Sequence, residues 1–212
     1  MKFIKNGLFL LTFSLLISSC ATSKNDDSII KKYSNDKVKL DIRNQMNGNL
    51  KGFGIWQDKN GIIIKKFTVE ISGSWEGDKG VVKQQFSFDN EKKDSRTWLF
   101  DIENDNSFSA IGHDIVGTAK GVQYGNASKM NYILSVVAAD GKKQNLAVED
   151  WTYAVNDKSL ISVLTLKNPG YFSGNEAERI IMSLKKVDSS DSKASDNIKN
   201  SAKSLDKNIE EK

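Results

Sequence analysis

The chain has 212 residues, 38% hydrophobic and 27% charged, which is enough for one domain with a sizeable core and too polar for a polytopic membrane protein. The formal net charge is +4, but Lys2 and Lys5 fall in a leader expected to be removed, and the near-neutral remainder argues against a nucleic-acid partner. One Cys and one His exclude an internal disulfide, a multi-histidine metal site and a Cys–His pair inside the folded body, and no cofactor is expected.

Residues 1–19 read as an export signal. Lys2 and Lys5 make a positive start, and residues 7–17 are an apolar run too short to stay across a bilayer. The run ends in Ile17-Ser18-Ser19-Cys20, which resembles the bacterial lipobox: a branched apolar residue, two small residues, then Cys. The resemblance implies lipidation of the Cys20 thiol, cleavage before it and acylation of the new amino group. Each buried methylene contributes about 0.8 kcal/mol, so several acyl chains hold a protein on a membrane far more firmly than one. Ala21 stands where Asp would retain such a protein at the inner membrane, so the periplasmic face of the outer membrane is the expected location. The alternatives are an ordinary signal peptide with a chance Cys, or an uncleaved anchor.

Residues 20–37, rich in Lys, Asp, Ser and Asn, read as a lipidated tether. The body is expected over residues 38–187. Residues 38–42 read as a first strand or a short helix. Asn47-Gly48 marks a turn into a strand over 50–57, and Asp58-Lys59-Asn60-Gly61 closes a hairpin. In residues 65–75, Phe67, Val69, Ile71, Gly73 and Trp75 share one face while Lys66, Thr68, Glu70, Ser72 and Ser74 share the other, the pattern of a half-buried strand. Strands over 81–89 and 96–103 follow, then a short one over 107–111. Residues 114–124 are glycine-rich, and Gly117, Ala119, Gly121 and Gly125 are expected on one face, as a tight bend requires. Met130, Tyr132, Leu134 and Val136 alternate, and Asp140-Gly141 is a strong hairpin signal. Segments 144–155, 160–167 and 178–187 complete nine or ten strands, with a Pro/Gly loop at 168–175. The fold class expected is all-β, a barrel or a sandwich, and the small residues of 114–124 favour an antiparallel meander closing into a barrel. Residues 188–212 turn polar and read as a disordered or marginally helical tail.

Several ordered words recur across residues 40–186: Gly54 with Gln57-Asp58 and Gly61, then Phe67, Gly73-x-Trp75-x-Gly77 and Arg96-x-Trp98. They continue with Asp114-x-Val116-Gly117-x-Ala119-x-Gly121, Gly125-Asn126-Ala127 and Asp150-Trp151-x-Tyr153. In these the chain resembles an uncharacterised family of Gram-negative lipoproteins, the domain of unknown function 3833 family. The resemblance implies lipid anchoring and a lipocalin-like barrel, and it implies no activity. The chain departs from the family's pattern at His113, at Thr152, in the 168–175 loop and in its tail. Gly73-Ser74-Trp75 is also similar to the Gly-x-Trp of lipocalins, though here it falls after the first strand.

Arg96, Trp98, Phe100 and Ile102 share a strand face. An Arg among aromatics must reach water or meet a carboxylate, and Asp114 is a nearer candidate along a meander than Asp150. The pair would act either as a rim salt bridge or, through Arg96, as the receiver of an anionic head. The candidate ligand-binding residues are thus Arg96, Trp98, Asp114, Trp75 and Tyr132, with no catalytic or metal-binding set. His113-Asp114 and Glu149-Asp150 point to opposite faces of a strand and cannot act as pairs. Trp151 and Tyr153 share a face and read as packing. Two functions remain in view: a barrel that binds a small apolar or amphipathic ligand, and an envelope structural protein whose interior is filled by Trp75, Phe86, Trp98 and Tyr132. An enzyme is not expected, since no nucleophile–base set is present. The partners read from the residues are the membrane, through Cys20, and that small ligand.

Overall fold

A computed structural model describes residues 27–137, 141–168 and 177–187. Ten antiparallel strands follow in order: β1 (Gly48–Gln57), β2 (Ile63–Glu76), β3 (Lys79–Phe88), β4 (Lys93–Asn104), β5 (Ser107–Gly112), β6 (Ile115–Tyr124), β7 (Ala127–Val137), β8 (Lys143–Asn156), β9 (Ser159–Lys167) and β10 (Ala177–Val187). Each pairs with its successor, and β1 pairs with β10 from Asn49↔Val187 to Gln57↔Arg179, so the meander closes into a barrel with no free edge.

Alternation decides which side chains face in. On β2 Phe67, Val69 and Ile71 are buried while Lys66 and Thr68 are exposed. On β4 Trp98, Phe100 and Ile102 are buried while Leu99 is 47% exposed. Many outward residues of β2 and β3, among them Lys66, Glu70, Ser72, Lys83, Gln85 and Ser87, are polar, while Ile64 and Val81 on the same strands and Phe53, Leu99, Ile111, Val116 and Ile161 on others are apolar and exposed.

One end of the barrel is plugged. Asp41 caps a single helical turn, α1 (Ile42–Gln45), its carboxylate accepting from the Arg43 N–H at 2.9 Å. The Ile42 N–H donates to Oε1 of the buried Gln123 at 3.0 Å, and the Leu40 N–H donates to the Gly125 carbonyl at 2.7 Å. Leu40, Ile42 and Met46 join the core from below, each burial contributing about 1.5–3 kcal/mol. Gly73 allows this approach, because a Cβ there would lie 1.7 Å from the Met46 carbonyl oxygen. The short-helix alternative for the segment before β1 is therefore the one adopted, one turn later than expected.

Two expectations are corrected. The polar stretch up to residue 37 is not all tether: Ile30–Tyr33 forms a 3₁₀ turn against the outside of the barrel near its plugged end, and Ile30 is fully buried. Tyr33 packs on the outward rings of Trp151 and Tyr153, with centroids 6.4 and 5.7 Å away. Covering those aromatics supplies the docking force that the segment's overall polarity conceals. The second correction concerns β6. Its register shifts between Val116 and Lys120, and Gly117, at φ +74°, sits exposed in the bulge. Only Ala119 and Gly121 face the core, while Gly125 lies in the β6–β7 turn. The bend is present, but it breaks the face rather than lining it. The expected tail, most of the 168–175 loop, Asp140 and the leader lie outside the described residues.

Candidate functional site

The end opposite the plug opens into a cavity of about 470 Å³. Its walls are inward side chains from the upper halves of the strands, including Phe67 on β2, Phe86 and Phe88 on β3, Leu134 on β7, Leu166 on β9 and Ile180 on β10. Phe67 meets Phe86 edge-on at 5.7 Å and lies 5.8 Å from Phe88. At the rim the Lys65 ammonium sits 4.4 Å above the Trp56 ring, whose Nε1–H donates to Glu178 at 2.7 Å. The lower half of the barrel is filled, by Phe100, Phe108 and their neighbours, except for a cavity of about 50 Å³ above α1. A depression of about 900 Å³ on the outer face of β1–β4 is lined by outward polar groups such as Lys51, Glu70 and Gln85. It is the open curve of the sheet, and it lacks the apolar lining of a ligand site.

Four of the five expected ligand-binding residues meet in the inner cavity. Arg96, Trp98 and Tyr132 project inward from β4 and β7, and Asp114 enters from the β5–β6 corner. Arg96 and Asp114 form a forked pair: Nε lies 2.8 Å from Oδ2 and 3.1 Å from Oδ1, and Nη2 lies 2.8 Å from Oδ2. Their side chains keep only 16% and 21% of their accessibility. Asp114 is thus the partner, as the meander suggested, and Asp150 is not. The Arg96 guanidinium also lies 5.4 Å from the Trp98 ring centre, and Trp98 meets Tyr132 edge-on at 5.3 Å. Burial works to lower the Arg96 pKa, but Tyr132 and Asp114 outweigh it and the net shift is upward. Burial pushes the Tyr132 phenol up, away from ionisation.

Trp75, the fifth, is placed elsewhere. It sits at the far end of β2, packed on Phe100 at 5.7 Å and against Gly80, and lines neither inner cavity. It belongs to the plugged end: β2 runs from the open rim toward that end, and residue 75 is next to its last. His113 is exposed and lines the mouth of the same cavity as the Arg96–Asp114 pair. Glu149 faces outward, where it accepts from Trp151 Nε1–H at 3.0 Å and pairs with Lys129 at 3.0 Å.

The residue that the sequence offers only as a second partner for Arg96, outside the ligand-binding candidates, is Asp150. On β8 it faces inward with Val148, Thr152 and Ala154, in the floor that separates the two cavities, and it borders both. Its Oδ1 is buried and has no hydrogen-bond partner. Burial raises its pKa from 3.8 to about 7, with Arg96 pulling the other way. Below it Thr152 and Ser162 share a 2.6 Å hydroxyl–hydroxyl bond. Chemically the site is a cup with mostly apolar walls, one closed ion pair in its wall, one unpartnered acid in its floor, and Lys65, Lys92, Lys93, Asp94 and His113 toward its mouth. No group of three or more His, Cys, Asp and Glu residues suited to a metal occurs among the described residues.

No curated protein matches the chain. One family model, described as a protein of unknown function (DUF3833), matches residues 14–186, a span that takes in every described strand but the last residue of β10. The chain belongs to the DUF3833 family of proteins of unknown function.

Proposed function

We propose that this protein is a lipid-anchored binding barrel of the outer membrane, facing the periplasm, that holds a small apolar or amphipathic molecule. The observation that carries the reading is the cavity of about 470 Å³ inside a barrel closed at its other end. Volumes of roughly 300–1,000 Å³, with apolar walls and a few placed polar groups, are those of small-molecule sites. The competing structural role needs a filled interior. Phe100 and Phe108 fill the lower half in that way, but the upper half stands open. Binding is favoured over catalysis because Asp114 is held by Arg96 and Asp150 makes no hydrogen bond that couples it to a base or a nucleophile.

The anchor is the lipobox-like Ile17-Ser18-Ser19-Cys20. Seven peptide units join Cys20 to Asp27, at most about 25 Å of extended chain. Because the 3₁₀ turn that follows docks beside the plugged end, a lipidated Cys20 holds that end toward the membrane and leaves the mouth facing the periplasm. The decisive experiment is native mass spectrometry, with lipid extraction, on the protein purified from its own envelope. A co-purifying small molecule is the expected result. Protein that arrives empty and takes up no neutral apolar probe would refute the binding role.

A further inference from the structure

We infer that the molecule held in the barrel carries a hydrogen-bond-donating head, an ammonium or a hydroxyl, and that Asp150 receives it at the cavity floor. This rests on the binding role proposed above and adds the chemical class of the ligand.

The cation in the cavity wall does not recruit an anion. Arg96 already holds Asp114 through a fork with distances of 2.8–3.1 Å. A carboxylate or phosphate head would have to displace Asp114 and leave that acid in a largely desolvated place without its partner. The floor has the opposite need. Asp150 Oδ1 is a buried acceptor with nothing to accept from, and buried polar atoms in folded proteins are normally satisfied. The groups facing Asp150 supply no free donor charge. Arg96 from β4 is committed to Asp114, and Tyr132 from β7 and Asp114 from the β5–β6 corner are the other titratable groups of the floor. From β3, β9 and β10 come Gln84, Leu164 and Met182, which do not titrate. Lys65, Lys92, Lys93, Asp94 and His113 line the cavity toward its mouth, and with the ion pair closed on itself the charge left over at the floor is that of Asp150. At that depth it repels an anionic head and attracts a donor, most strongly an ammonium. The aromatic walls rise from this point to the mouth, so an amphiphile lies head down with its chain toward the opening.

Since Asp150 titrates near neutral pH, an ammonium head binds better where the carboxyl is ionised, above pH 7, and loses affinity as the pH falls through that value. A hydroxyl head can bond either form.

The test uses the full-length protein in phosphatidylcholine nanodiscs, with empty nanodiscs as the blank. The neutral probe N-phenyl-1-naphthylamine reports entry into the cavity, and decylamine, decanol and decanoate compete for it. At pH 8 decylamine and decanol are expected to displace the probe at concentrations lower than decanoate by at least about tenfold. Moving to pH 6 should weaken decylamine. Asp150→Asn should remove the preference for decylamine over decanoate and the pH dependence of decylamine, each read as displacement of the probe from the variant itself. If the variant fails to fold, the competitor ranking and the pH profile of the unaltered protein still decide the matter. Probe uptake with decanoate competing as well as decylamine would overturn the inference and leave the binding role standing. No uptake above the blank would overturn both.

Discussion

Replacing Asp150 with Asn should stabilise this protein at alkaline pH, and the size of the gain follows from its position. The carboxyl lies in the barrel floor with Oδ1 buried and unbonded, and burial raises its pKa from 3.8 to about 7. The folded state therefore holds the proton more tightly than the unfolded chain. The contribution of Asp150 to stability is most favourable below pH 4, falls as the pH rises toward 7, and falls no further above it. About three pKa units at 1.4 kcal/mol each put the cost of the ionised form near 4 kcal/mol, a ceiling because cavity water reaches one side of the group. Asn has the same shape and cannot ionise, so the variant escapes this loss. For a chain of this length 1 kcal/mol corresponds to about 2–4 °C, so at pH 8 the variant should melt higher by several degrees, with a ceiling of roughly 8–16 °C. Near pH 4 the two should melt together. Calorimetric melting of both proteins from pH 4 to pH 8 gives the difference curve, which cancels the other carboxylates. A difference that is flat in pH, or a variant that melts lower at pH 8, would show that Asp150 is not desolvated.

Three further outcomes are expected. In a double-mutant cycle, Arg96→Met and Asp114→Asn should couple by about 1–3 kcal/mol, between the values of exposed and fully buried pairs; urea unfolding measures this, and a coupling near zero would dismiss the pair as a constraint on the barrel. Ile30→Ala should cost about 2–4 kcal/mol, because Ile30 has no accessible surface beneath the outer face of the barrel; a loss below about 0.5 kcal/mol would mean that the segment before α1 is not docked. Cys20→Ser should abolish both fatty-acid labelling and membrane retention while the circular dichroism of the body is unchanged; label still entering the variant would contradict the lipobox.

Much of the site was legible because strands have a strict period. Alternation alone put Arg96 and Trp98 on the face of Phe100, and put Tyr132 with Met130 and Leu134. It also separated Glu149 from Asp150. Turn residues such as Asn60-Gly61 and Asn47-Gly48 marked where strands end. With short connections a meander brings Asp114 back beside the β4 strand that carries Arg96, so even the ion pair could be anticipated.

What alternation cannot supply is height along the barrel and what stands opposite. Trp75 has the same parity as Phe67, yet the two lie toward opposite ends of β2, one at the plugged end and one in the cavity wall. Asp150 has the parity of Val148, and its isolation depends on its neighbours across the ladders, Met130 on β7 and Leu164 on β9, which offer no donor. Ile30 sits in a polar stretch, and only the packing of Tyr33 on Trp151 and Tyr153 turns that stretch into part of the body. Local pattern decided the strands and their faces, because backbone geometry is local. The tertiary structure decided that the barrel is half full, because an empty volume depends on how ten strands close and on which side chains from distant segments reach the same level.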